Sequence, residues 1–273
     1  MPVMGVFPRG SVLALAAVAC AAGVASAGTG VNLVQNGGFE AGAGGNGSIV
    51  VGAPGWTTLG FATGVTWDTG AGFPGPFDPG PADRGANFAS GGPGNSSSAL
   101  AQVIDVSGDA ALIDSGSASF VLSGWLGGYF NQDDHATLGV QFFSESSELL
   151  GAASVVGPLA ADREGLTGLL QRSVSGAVPA LARSARVTLS FQRVAGDFND
   201  GYADGIGFVL RSPAACPGDF NGDGVVSTPD LVIFLGVFGQ AVTPGSAQDF
   251  NGDGVVSTPD LVSFLGLFGT ACP

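Results

Sequence analysis

Between Asp219 and Gly239 the chain reads DFNGDGVVSTPDLVIFLGVFG, and thirty residues later, from Asp249 to Gly269, it reads DFNGDGVVSTPDLVSFLGLFG. Two of the twenty-one positions differ, Ile233 against Ser263 and Val237 against Leu267. A repeat this close marks a unit that the protein needs twice.

Each copy places oxygen-bearing side chains at loop positions 1, 3, 5, 9 and 12. In the first they are Asp219, Asn221, Asp223, Ser227 and Asp230; in the second, Asp249, Asn251, Asp253, Ser257 and Asp260. Gly224 and Gly254 stand at position 6, where the chain must turn sharply, and the carbonyls of Val225 and Val255 take position 7. This is the ligand spacing of a twelve-residue EF-hand calcium loop, built from oxygen donors that suit a hard cation. Position 12 carries Asp where the usual loop has a bidentate Glu.

Charge placement supports the same chemistry. From Ser212 to Pro273 the ionisable side chains besides two cysteines are six aspartates, all at position 1, 5 or 12. Three converging carboxylates repel unless a cation sits among them, and no Lys or Arg is near in sequence. Two ordinary Asx/Gly turns would leave that placement without a cause.

A short helix is expected after each loop. Pro229 and Pro259 suit the first helical turn, with Ser or Thr before them as cap. Leu231, Phe234, Leu235 and Phe238 recur at i, i+3, i+4 and i+7, as do Leu261, Phe264, Leu265 and Phe268. Gly239 and Gly269 follow as stop signals.

Loop then helix, twice, with no helix before the loop, resembles the type I dockerin, a duplicated half-EF-hand module, over residues 216–273. The resemblance implies two calcium ions and a cohesin-type β-sandwich partner on a scaffold or cell surface. In that family positions 10 and 11 contact the cohesin; here they are Thr228 and Pro229, then Thr258 and Pro259. Proline at position 11 departs from the commoner pattern. The basic residues often found further along the helix are replaced by Gly236, Val237, Gly266 and Leu267. A calcium-stabilised end cap or surface-sorting tag without a cohesin is the competing reading.

Cys216 and Cys272 flank the repeat pair, and a bridge between them would stabilise the module by ~4 kcal/mol on the loop-entropy estimate. A unit of this size buries little core, so ions and a staple are its expected supports. Two free thiols are the alternative, less suited to an exported chain.

Residues 1–27 read as a secretory signal: Arg9, an apolar run over Val12–Val24 containing Cys20, and Ala25-Ser26-Ala27 before Gly28. The run is short for a membrane span, and no later segment is long and apolar enough. The mature chain is therefore expected to be secreted, free or attached to the cell surface, where calcium is plentiful and disulfides persist. It contains no lysine, and loss of Arg9 takes the formal charge from −14 to about −15. Nucleic acid is excluded as a natural partner for so acidic a surface.

Residues 28–211 form the body, joined to the tail by 212–215. Apolar runs over Val31–Gln35, Ser48–Gly52, Gly64–Asp68, Leu100–Val106, Ala118–Leu126, Ala136–Phe143, Leu149–Val156, Gly168–Val174, Arg186–Val194 and Gly205–Leu210 are mostly separated by turn residues. Many short strands of this kind predict a β-sandwich. Thr69–Ser98, rich in Gly and Pro, is expected to wrap the sandwich edge, with Phe73, Phe77 and Phe88 docking parts of it.

Asn32-Leu-Val-Gln-Asn-Gly-Gly-Phe-Glu40 looks like the opening of galactose-binding-like jelly rolls, which include many carbohydrate-binding modules. Ser175-Gly-Ala-Val-Pro179, Ala185-Arg-Val-Thr-Leu189 and Tyr202-Ala-Asp-Gly-Ile206 look like their closing strands. The resemblance implies one structural calcium shared by Glu40 and Asp204; two solvated edge charges are the alternative. Sugar binding in such folds rests on aromatic rings. Trp56, Trp67, Trp125 and Tyr129 are the candidates: Trp56 and Trp67, near turns, are expected to face a groove, Trp125, in mid-strand, is expected in the core, and plain packing is the competing role for each. His135, the single histidine, lies in the loop Asn131–His135, where Asp133 or Asp134 could orient it as a general base. No G-x-S-x-G elbow or HExxH helix is present.

The expected fold is mainly β: a jelly-roll β-sandwich followed by a small α-helical, dockerin-like pair of calcium loop–helix units. The expected function is a secreted, non-catalytic two-module protein whose body binds polysaccharide. A secreted polysaccharide-active hydrolase or lyase with the same attachment module is the alternative.

Overall fold

Period-two alternation of apolar residues becomes strand through most of the body. The computed structural model describes residues 29–67, 69–70, 72–212, 216–242 and 246–272. The expected signal over 1–27, with Cys20, and the join at 213–215 lie outside the described residues. Ten strands follow in order: β1 (Thr57–Leu59), β2 (Thr63–Thr66), β3 (Asn87–Pro93), β4 (Ser97–Asp105), β5 (Ser119–Gly128), β6 (His135–Phe143), β7 (Leu149–Val156), β8 (Gly168–Ala177), β9 (Ser184–Gln192) and β10 (Phe198–Arg211). A 3-10 turn (Ser107–Asp109) and a short helix, α1 (Ala110–Asp114), lie between β4 and β5. The strands make two five-stranded antiparallel sheets, β1-β4-β9-β6-β7 and β2-β3-β10-β5-β8. The body is a β-sandwich.

Alternate residues of β5, β6 and β9 point between the sheets. At the centre Phe120 lies 5.1 Å from Phe142 and 6.1 Å from Phe208, ring centre to ring centre. Leu100, Leu122, Leu138 and Leu189 close round them with no exposed surface. The β2-β3-β10-β5-β8 sheet also carries a second cluster, of Val65, Trp67, Phe88, Leu169 and Tyr202, with Phe73, Trp125 and Tyr129 packed against it. In β10 the neighbours Tyr202 and Ala203 belong to different clusters, so the second cluster lies on the sheet's outer face. Trp125 thus packs on that outer cluster, not between the sheets.

A sheet covered on both faces does not show alternation, and here the structure corrects the sequence reading. The second half of Thr69–Ser98 is not an edge wrap: it contains β3, paired with β2 on one side and β10 on the other. The sequence of β3, NFASGGP, is buried over its first six positions. Small residues there are a packing requirement, since a Cβ at Gly92 would run into the carbonyl of Phe61 and one at Gly91 into Asn199. Neither Val31–Gln35 nor Ser48–Gly52 is a strand. The first instead runs beside β10, held by one bridge between Asn32 and Val209. The Asn32 side chain makes up for the missing ladder: its Oδ1 accepts from Phe208 N and its Nδ2 donates to Ile206 O.

In the tail, α2 (Thr228–Gly236) and α3 (Thr258–Leu265) each follow a loop. Pro229 and Pro259 sit in the first turn of their helices, and Ser227 and Ser257 are the N-caps. Both helices end about a turn before Gly239 and Gly269, whose φ values of +80° and +84° belong to the exit turns. The two units are interlocked. The segment after α2 pairs with the second loop, Val256 N donating to Gln240 O, and the segment after α3 pairs with the first, Val226 N donating to Thr270 O. Each loop therefore depends on the chain that leaves the other unit's helix, a physical reason for the repeat to occur twice.

Phe220, Phe234 and Phe264 stack in the middle, with ring centres 5.5–6.3 Å apart. The expected four-residue apolar stripe is narrower than its spacing implied. Phe234 and Phe264 are fully buried, but Leu235 and Leu265 are 50% and 51% exposed. Cys216 and Cys272 form a disulfide with Cα atoms 5.6 Å apart, which closes nearly the whole module into one loop.

Candidate metal centres and binding surfaces

The first calcium-type loop is organised by its aspartates. Asp219 Oδ1 accepts from the amides of Gly222 and Asp223, and Oδ2 from that of Gly224, at 2.8–3.2 Å. Asp230, fully buried, accepts from Phe220 N and Asn221 N through Oδ1 and from Ser227 N through Oδ2. Burial works to raise its pKa, but the amides of Ser227, Asn221 and Phe220 outweigh it and hold the carboxyl below its ordinary value. Aspartate at position 12 thus serves as the N3 residue of a capping box. It couples the ligand loop to the start of α2.

Carboxylate oxygens of Asp219, Asp223 and Asp230 all lie within 4.8 Å of one another. The second loop repeats the bonds: Asp249 Oδ1 to Gly252 N and Asp253 N, and Oδ2 to Gly254 N, at 2.9–3.1 Å. There the Ser257 amide leads the hydrogen bonds that hold Asp260 below its ordinary pKa. Asn221 and Asn251 each donate Nδ2 to the position-5 aspartate and turn Oδ1 to its amide. Ionised carboxylates, amide oxygens and no basic side chain form a donor set that fits a hard divalent cation.

A second candidate centre lies at the edge of the body. The pairing of β10 with β5 shifts register between Asp204 and Gly207, and Gly205 has φ +58°. Such a bulge re-aims a side chain. Asp204 is 1% exposed; its Oδ1 accepts from Gly205 N, while Oδ2 is buried without a hydrogen-bond partner. The opening segment reaches this edge because Gly37 has no Cβ to collide with the carbonyl of Ile206. Glu40 then approaches Asp204: a Cβ built on Gly38 would touch both, 3.8 Å from Asp204 Oδ1 and 3.9 Å from Glu40 Cγ. Glu40 is itself anchored by the amides of Ala86 and Asn87. Burial first, then the charges of Glu40 and Asp83, push Asp204 up to about 8. An orphaned buried oxygen between acidic groups is a fit for a cation, whereas a solvated edge charge would be exposed.

Trp56 and Trp67 do not face a groove. They are 8% and 7% exposed. The Trp56 indole donates to Asn36 O and packs on Phe39; that of Trp67 donates to Asn87 O beneath the Arg84 guanidinium, 4.6 Å from the ring centre. Tryptophan near a turn signalled exposure, but covering loops fold over both rings.

The Asp133–Asp134–His135 loop is used structurally. Asp134 is fully buried and accepts from the amides of Val194, Ala195 and Asp200. Asp133 accepts from Ala160 N, and His135 Nδ1 lies 2.9 Å from the Asp133 carbonyl. Among the described residues neither carboxylate is hydrogen-bonded to the imidazole.

At the start of α2 and α3, Thr228, Pro229, Thr258 and Pro259 are all exposed. Beside them the helices expose Val232, Leu235, Val262 and Leu265, each by half or more. Among the described residues no helix is long and apolar enough to cross a membrane.

No family model matches the sequence, and no curated protein matches it significantly. Solved structures do show likeness. The enzymatically active domain of tailspike protein 4 of bacteriophage CBA120 gives a TM-score of 0.40 at 15% identity, over 67% of this chain and 21% of that one. The chain therefore spans about a fifth of that tailspike domain. A family 16 carbohydrate-binding module gives 0.40 at 16% identity, over 65% of this chain and 99% of that one. The C-terminal family 22 carbohydrate-binding module of Clostridium thermocellum Xyn10B gives 0.35 at 12%, over 67% and 94%. The sandwich architecture itself rests on the strand order described above.

Proposed function

We propose that the tail is a calcium-dependent attachment module of the dockerin kind. On this reading it tethers an exported β-sandwich, which binds carbohydrate, to a cohesin-like domain on a scaffold or cell surface. The observation that carries it is the convergence of Asp219, Asp223 and Asp230 within 4.8 Å in a tail with no basic side chain. Each loop would hold one ion through its three aspartates, with the Asn and Ser side chains and the Val225 or Val255 carbonyl as neutral donors. Bound calcium supplies the positive charge that lets three carboxylates share one site. A third ion at Glu40 and Asp204 would fasten the opening segment to β10.

The partner-facing surface would be the exposed Thr-Pro pairs with Val232, Leu235, Val262 and Leu265 beside them. The positions further along the helix where the dockerin family often carries basic residues are Gly236, Val237, Gly266 and Leu267 here, so the partner's face would be apolar rather than acidic. Near-identical units would allow docking in two orientations. The carbohydrate reading rests on the motifs at both ends of the body.

A pull-down from the same organism's secreted proteins, in calcium and in EDTA, tests attachment. Recovery of a β-sandwich partner in calcium is expected, with loss in EDTA and on Val232→Asp/Val262→Asp. No partner, or one retained regardless of calcium, would leave only a cap or sorting tag.

A further inference from the structure

On the body, a second bulge of β10 opens a recess beside Tyr129 and Phe73. The β10–β3 register shifts between Asn199 and Tyr202, and the displaced stretch turns Asp200 towards a cavity of about 350 Å³. Its walls include Phe73, Tyr129 and Phe198, with Asn46, Ser48 and Asp200 as the polar groups. All three rings are half-buried, so each is anchored while part of it remains open. Phe73 stands edge-on to Phe198, with ring centres 5.3 Å apart. Glycines bring backbone against the aromatic edges: a Cβ at Gly47 would collide with Phe73, and one at Gly72 would come within 2.9 Å of Tyr129. Asp200 Oδ1 accepts from Tyr202 OH at 2.6 Å, while Oδ2 has no hydrogen bond among the described residues. Asn46 Oδ1 accepts from Ser48 N, and its amide nitrogen has no hydrogen bond among the described residues.

Rings flanked by a carboxylate acceptor and an amide donor suit a molecule with one C–H face and a rim of hydroxyls. The volume is at the low end of the roughly 300–1,000 Å³ typical of ligand pockets, enough for about one or two sugar rings. No lining residue is basic, so a uronate or sulfate would meet Asp200 without a counter-charge. We propose that this recess binds a terminal unit of a neutral glycan, with Tyr129 and Phe198 against its apolar face and Asp200 accepting its hydroxyls. This rests on the carbohydrate reading above and assigns it a place and a sugar class.

Burial, which outweighs the Tyr202 hydrogen bond, raises Asp200 to about 6, helped by the charge of Asp134. The groups around it are Asp134, Tyr202 and Tyr129, with the Arg163 guanidinium close by but bonded to the carbonyls of Gly128, Phe130 and Gln132. As pH falls through about 6 the acceptor is lost, so affinity should fall with it.

The test is calorimetry on the full chain with cello-, xylo- and manno-oligosaccharides and trigalacturonate as probes. A neutral probe should bind and trigalacturonate should not. Tyr129→Ala should weaken binding about tenfold. Asp200→Asn, isosteric and still able to accept from Tyr202, should weaken it several-fold and abolish the loss below about pH 6. Folding of both is checked by melting, and should Tyr129→Ala fail to fold, Asp200→Asn decides. A neutral probe bound equally by wild type and folded Asp200→Asn, with the same pH profile, would place sugar binding elsewhere and overturn this site alone. Preference for trigalacturonate would overturn the sugar class. No binding of any probe would overturn the carbohydrate reading and this site with it.

Discussion

In EDTA the tail is expected to lose its helices while the body remains folded. The cause is electrostatic. Removing the ions leaves Asp219, Asp223 and Asp230 converged, and Asp249, Asp253 and Asp260 in one twelve-residue loop, with no Lys or Arg in the tail to offset either set. Against that repulsion stand four fully buried apolar side chains, Val226, Phe234, Val256 and Phe264, and the Cys216–Cys272 disulfide. The disulfide contributes ~4 kcal/mol by limiting the unfolded chain. An ion held at a thousand times its Kd contributes about 4 kcal/mol on its own, so two ions outweigh the staple. Because each loop pairs with the chain that leaves the other unit's helix, losing one loop also undoes the other. The readout is clean, since α2 and α3 hold most of the helix among the described residues. Far-UV helical signal should disappear with chelator and return with excess calcium. Asp219→Ala alone should reproduce much of the loss in the presence of calcium. A helical signal indifferent to both would leave the loops as ordinary turns.

The body should respond to pH in the opposite sense from an ordinary carboxylate-stabilised protein, and only without calcium. The folded-state pKa of Asp204 is raised from 3.8 to about 8. A group raised on folding favours the folded state while protonated. Its contribution is therefore complete below about pH 4 and is lost as pH climbs through about 8, with Asp200 adding to the loss up to about 6. The span corresponds to on the order of 5 kcal/mol. In EDTA, the body's melting temperature should fall steadily between those limits. Calcium at Glu40 and Asp204 would neutralise the buried charge and flatten the profile. Asp204→Asn should flatten it too and stabilise the calcium-free body above pH 7. Melting that is independent of pH in EDTA would contradict the charge assigned to this edge.

What could be read in advance divides along physical lines. The loops of the tail are local: ligands, turn glycine, cap and helix follow within twenty residues, so spacing carries them. Strands β5, β6 and β9 alternate because one of their faces is much less covered than the other, and alternation is visible in sequence. By contrast β3 is buried on both faces and filled with Gly, Ala and Ser, a pattern that reads as loop. Trp56 and Trp67 were misplaced because their burial depends on distant covering segments, which no window of sequence contains. The recess around Asp200 draws on five separate stretches of chain and on a bulge, so the sequence could single out Tyr129 but not the site it helps to line. Glu40 and Asp204 were legible only through the motifs that surround them; the orphaned Oδ2 belongs to the fold.

Calorimetric titration of the full chain with calcium, beside Asp219→Asn/Asp249→Asn, tests the central claim most directly. The wild type should take up two more ions than the variant, and uptake should coincide with gain of helical signal. Equal uptake by the two proteins, or none by either, would contradict it.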